Sequence, residues 1–86
     1  MVRIAFEIDE GVLARFHKAP AEFARELRIA AAVKWYELQL VSQGRAAEIA
    51  GLTRAELLDA LGRYGVSPFQ DTVEELIEAK DAGPHA

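Results

Sequence analysis

Between residues 43 and 61 the sequence leaves the chain few options. Gly51-Leu52 interrupts an apolar pattern of helical spacing, and Thr53-Arg54-Ala55-Glu56 begins another. Gly51 is free to take the positive φ that closes a helix. Thr53 and Glu56 have the spacing of a capping box, in which hydroxyl and carboxylate satisfy each other's backbone amides at a helix start. A stop and a start this close force a turn. Upstream, Ser42 is placed to cap a first helix through Ala46, Ala47, Ile49 and Ala50. Downstream, Leu57, Leu58, Leu61 and Tyr64 predict a core face for the second helix, which Gly65 ends.

The same spacing meets the demands of a helix-turn-helix. Small Ala47 stands where the helices cross, and Gly51 makes the turn four residues later. Apolar Leu52 follows, Thr53 caps the recognition helix, and Leu57 and Leu61 recur on its inner side. A structural αα-hairpin obeys the same rules, so the outer face decides function. At about 100° per residue, Ala55, Asp59, Gly62 and Arg63 face outward, with Glu56 beside them. Arg63 suits a phosphate or a guanine, and Ala55 a thymine methyl. Asp59 suits a cytosine amino group, although phosphates repel it. Thr53 at the cap, with Arg45 and Arg54 flanking the motif, suits backbone contacts. A face this poor in donors predicts DNA binding that is weak for a monomer and steeply salt dependent.

Ahead of this unit, residues 2–8 alternate. Val2, Ile4, Phe6 and Ile8 point one way and Arg3, Ala5 and Glu7 the other, which predicts a half-buried strand. A lone strand is unstable, so the expected partner is its own copy in a dimer. A two-stranded ribbon would also offer Arg3 to a DNA groove. Asp9 predicts a capped short helix through Val12, Leu13 and Phe16. Pro20 breaks it and opens a long helix expected over about 21–41. One stripe of that helix is Phe23, Leu27, Ala31, Trp35 and Leu38, and a second is Ile29, Val33, Tyr36 and Leu40. Its second half is apolar all round, so a cover on both sides is expected, the chain itself on one and a neighbour on the other. After Pro68 and Phe69, residues 73–80 predict a last helix with Val73, Leu76 and Ile77 on one face. The fold expected is therefore mainly α, with one strand pairing across a dimer, a bundle containing a helix-turn-helix at about 43–63, and a tail helix. Residues 1–69 form one domain and residues 70–86 an acidic tail.

Charge and composition bound the partners. Residues 1–69 carry nine Lys/Arg and nine Asp/Glu, whereas residues 70–86 carry five acids against Lys80 alone. The net charge of −4 thus sits in the tail, which suits a basic protein partner or, equally, a solvated tail that keeps a small protein soluble. Phe69, Glu74, Leu76, Ile77 and Glu78 are the contacts expected there. A chain of 86 residues without cysteine is marginal alone and has no disulfide to staple it, so a homodimer is expected. No signal-peptide pattern or membrane-length apolar run appears, which predicts a cytoplasmic protein. His17 and His85 form no catalytic or metal-binding set, so neither enzyme nor cofactor is expected.

The run Leu40-Val41-Ser42-Gln43-Gly44-Arg45-Ala46-Ala47-Glu48-Ile49-Ala50-Gly51-Leu52-Thr53-Arg54-Ala55-Glu56-Leu57-Leu58, with Gly65-Val66 and the acidic tail after it, resembles a prokaryotic family of small antitoxin-like proteins. Their N-termini resemble those of ribbon-helix-helix antitoxins. The likeness spans roughly residues 2–80. Leu57 departs from it mildly, where an aromatic is common. The resemblance implies an antitoxin that is also a transcription factor and is paired with a toxin such as a PIN-like ribonuclease. Together these readings predict a regulator that binds operator DNA and neutralises a toxin through its tail. The alternative is a protein-interaction adaptor whose helix pair is structural.

Overall fold

The computed structural model describes residues 1–69. Four helices follow in order: α1 (Glu10–Phe16), α2 (Pro20–Glu37), α3 (Gln43–Ala50) and α4 (Arg54–Arg63). The described residues contain no strand, which corrects the expectation for residues 2–8 and their pairing across a dimer. The alternation is real, but none of the described residues pairs with it. Val2, Ile4 and Phe6 are 88, 83 and 61% exposed. An extended segment without a neighbour gains neither ladder hydrogen bonds nor a buried face. The expected tail helix at 73–80 lies outside the described residues.

Capping chemistry sets the helix boundaries. Asp9 accepts from Gly11 N at 2.9 Å to open α1, and Ser42 accepts from Arg45 N at 3.2 Å to open α3. Pro20 stands at the start of α2, where the amide of Ala19 donates to Glu22 Oε1 at 3.1 Å. Helix α2 stops at Glu37, short of the expected Val41. Gln39 takes φ 64°, while Gln39 N donates to Tyr36 O and Leu40 N to Trp35 O. These two bonds satisfy carbonyls of the last turn in a Schellman closure. The sequence hid it because glutamine, not glycine, holds the left-handed position. Helices α3 and α4 close the same way, at Gly51 (φ 72°) and Gly65 (φ 70°). There Leu52 N reaches Ala47 O, and Val66 N reaches Leu61 O.

The core joins the second stripe of α2 to the helix pair. Ile29, Ala32, Val33 and Tyr36 pack with Ala46, Ala47 and Ala50 of α3, Leu57, Ala60 and Leu61 of α4, and Val66 beyond it. Alanines on α3 let two helix backbones lie close to it. Leu57 and Leu61 are fully buried, and each contributes about 1.5–3 kcal/mol of hydrophobic stabilisation. Leu58 and Tyr64, expected on the core face, are 41 and 38% exposed. The inner face instead uses Ala60, three residues after Leu57. Of the first α2 stripe only Phe23 is buried, in edge-to-face contact with Phe16 at 5.1 Å. Among the described residues no helix is long and apolar enough to cross a membrane.

Candidate nucleic-acid interface

The turn at Gly51 is built from both sides. Its left-handed φ disfavours any side chain, and a Cβ there would approach the Arg28 guanidinium to 3.2 Å. Arg28 reaches over from α2, donating from Nε to Ile49 O at 2.9 Å and from Nη2 to Glu48 O at 3.4 Å. It therefore caps the negative end of α3 with a cation. This role is not legible in the sequence. A cation on α2 lying 20 residues before a helix end carries no local signal. Beyond the turn, Thr53 Oγ1 accepts from Glu56 N at 3.1 Å and Thr53 N donates to Glu56 Oε1 at 2.9 Å. The predicted capping box is complete.

With Leu57, Ala60 and Leu61 turned inward, Ala55, Glu56, Asp59, Gly62 and Arg63 are all exposed. The structure thus gathers Ala55, Asp59 and Arg63 on one accessible face of α4, with Thr53 and Arg54 at its start. A shallow groove runs beside this face between α2 and α4, lined by Arg25, Ile29, Leu52, Ala55, Asp59 and Arg63. Its floor is apolar and its rim charged. The candidate cations are engaged within the protein. Arg63 Nε lies 3.5 Å from Asp59 Oδ2, and Arg45 Nη1 lies 2.7 Å from Glu48 Oε1. All four side chains are more than half exposed, so each pair is worth about 0–1 kcal/mol. A phosphate offers bidentate, charge-assisted bonds instead.

Arg54 is held differently. Its Nε donates to Gln43 Oε1 at 2.8 Å. Gln43, only 7% exposed, donates from Nε2 to Pro68 O at 2.9 Å and to Tyr36 Oη at 3.3 Å. The Tyr36 hydroxyl donates to Pro68 O at 3.0 Å. A buried glutamine thus ties the start of α4 to the segment leading into the tail, and satisfies its own polar atoms in doing so. Nothing in the residue order around Gln43 signals this role, because its partners come from three separate parts of the chain.

At the other end of α4, the Tyr64 hydroxyl donates to Glu26 Oε2 of α2. Burial and then the neighbouring Glu26 carboxylate push the phenol up to about 12, with Arg63 opposing. Arg3 sits on the irregular N-terminal segment, away from the helix pair in sequence and in no element with it. Of the expected partner contacts, Phe69 is described and 79% exposed. Glu74, Leu76, Ile77 and Glu78 lie outside the described residues.

Comparison with known proteins matches residues 1–82 to a family described as an uncharacterised protein family, UPF0175. A protein of Aeropyrum pernix called "UPF0175 protein" is 38% identical over 76 residues, covering 88% of this chain and 80% of that protein. No solved structure matches the chain significantly.

Proposed function

The chain belongs to the UPF0175 family, and because that membership carries no activity with it, we propose from the geometry that the protein is a DNA-binding regulator of antitoxin type. Helices α3 and α4 are its helix-turn-helix and α4 its recognition helix. One observation carries the reading. The turn at Gly51 presents α4 with a fully buried inner side and an outer side, Ala55, Asp59, Gly62 and Arg63, open along its length. An element that fits a major groove needs such a free face. Arg45 and Arg63 then serve the phosphates, exchanging weak internal pairs for stronger ones, while Arg54 stands beside them at the start of α4, held by Gln43.

In this reading two copies bind the operator together, since one such face gives few contacts. The acidic residues of 70–86 bind and neutralise a basic toxin, with exposed Phe69 at their root as an apolar anchor. The resemblance to antitoxins makes a ribonuclease of PIN type the expected toxin. The test is binding to DNA from upstream of the protein's own gene at 50 and 200 mM salt. Three phosphate contacts predict roughly fortyfold weaker binding at the higher salt. No binding at 50 mM salt refutes the reading.

A second reading has its own support. Asp59 and Glu48 neutralise Arg63 and Arg45, as in a helix pair that serves structure only. The protein would then be an adaptor that binds its partner through the tail. A pull-down of the neighbouring gene's product with and without residues 70–86, run beside the DNA assay, separates the two. An adaptor retains its partner and never retards DNA.

A further inference from the structure

The core uses one side of α2 and leaves the opposite side bare. Leu27, Trp35 and Leu38 are 36, 43 and 54% exposed, and Leu40, just past the helix end, is 67% exposed. Leu27 and Trp35, with Leu38 at the helix cap, fall on one face with Ala24 and Ala31, opposite the side that carries Ile29, Val33 and Tyr36. We propose that this stripe is the homodimer interface, with α2 of a second copy packed antiparallel across it about a two-fold axis at Ala31.

Two arguments select a second copy over another partner. The first is symmetry. Leu27 and Trp35 stand four residues either side of Ala31, and Ala24 and Leu38 stand seven either side. Antiparallel pairing therefore sets Leu27 of one helix opposite Trp35 of the other and Ala24 opposite Leu38, each twice over, with the two Ala31 residues meeting at the axis, an isologous contact. The second is area. The four large side chains expose on the order of 400 Å² of apolar surface, judged against the 150–250 Å² that one buried aromatic hides. A patch of that size is of the order of the largest apolar patch on a monomer, which often marks an interaction site. Two stripes face to face, with Ala24, Ala31 and the stem of Lys34 around them, reach about 1,200 Å², the lower bound of stable association.

Pro68 O is latched to Tyr36, on the opposite side of α2, and none of the described residues covers this face. Pairing through the stripe also leaves α4 of both copies uncovered, because α4 packs on that opposite side. The inference is thus compatible with the DNA reading and does not depend on it.

Trp35 is the chain's one tryptophan, so the interface reports on itself. The full chain is examined by sedimentation from micromolar to millimolar concentration, with tryptophan emission recorded on the same samples. A twofold rise in mass is expected, with a blue shift of emission at the same midpoint. Leu38→Glu and Leu27→Glu, at exposed positions that leave helicity by circular dichroism intact, should each weaken association at least tenfold. A chain that stays monomeric throughout overturns the proposal. So does a dimer whose emission does not move, or one that both variants leave unchanged. A dimer that binds no DNA sinks only the functional reading, and a monomer that binds DNA sinks only this one.

Discussion

Ile4 and Leu57 are both large aliphatic residues in regular patterns, yet one is 83% exposed and the other completely buried. The contrast extends to their whole regions. Around Leu57 each helix closes its own backbone hydrogen bonds and opens on its own cap, and needs other elements to cover one face and, in α3, to add Arg28 at its end. Residues 2–8 have no such self-sufficiency. A strand borrows every hydrogen bond from a neighbour, and the described residues supply none. Periodicity therefore says which side of an element could be buried, while capping and partner supply decide whether the element exists.

The sharpest way to break this contrast is to cut the same side chain from both regions. Leu57→Ala leaves a cavity in the core that α2, α3 and α4 share, and should cost about 2–5 kcal/mol in urea unfolding. Ile4→Ala should stay within about 0.5 kcal/mol. A large loss at Ile4 would mean that residues 2–8 have a partner the isolated chain does not reveal.

Next in size is Gly51→Ala. The left-handed φ costs a side chain about 1–2 kcal/mol, and Arg28 must also shift from the new Cβ. If the turn is the hinge of the proposed DNA unit, this variant should weaken DNA binding more than its stability loss alone predicts. An unchanged urea midpoint would show that the turn is not held as described.

These two positions also mark how far the sequence could be read. The stop at Gly51, the caps at Ser42 and Thr53, and the inward Leu57 and Leu61 were all legible, because each signal lies within four residues of its partner. The end of α2 was not, since Gln39 occupies a position where glycine is the expected sign. Roles made by distant parts of the chain were equally silent. Arg28 on α3, Gln43 between Arg54 and Pro68, and Tyr64 on Glu26 are contacts of the fold, not of the neighbourhood. The open face of α4 was legible from its period, but the engagement of Arg63 with Asp59 on α4 and of Arg45 with Glu48 on α3 shows only in the structure.

A gentler comparison uses the caps. Thr53→Ala removes the hydroxyl that opens α4 and should cost about 1 kcal/mol of global stability. Asp9→Ala removes an equivalent bond from α1, which buries no residue. Because α1 contributes little to the core, its loss should appear as faster amide exchange within 10–16 while the urea midpoint stays fixed. Equal shifts in both midpoints would show that α1 belongs to the same cooperative unit as α4.

The smallest effect is at Tyr64, which joins the end of α4 to α2. Its phenol is raised from 10 to about 12 in the folded chain. The neutral hydroxyl donates to Glu26, so the folded state favours the protonated form more than the unfolded state does. The contribution is fully present below pH 10, declines as pH rises from 10 toward 12, and is gone above that. Tyr64→Phe should lower stability by less than about 1 kcal/mol at neutral pH, since the ring remains and only the hydrogen bond is lost. The difference between parent and variant should shrink across that alkaline window, with other titrating groups cancelling in the subtraction. A difference that grows with pH instead would mean that the hydroxyl is better bonded when ionised, to Arg63 rather than Glu26, and that α4 is anchored to itself and not to α2.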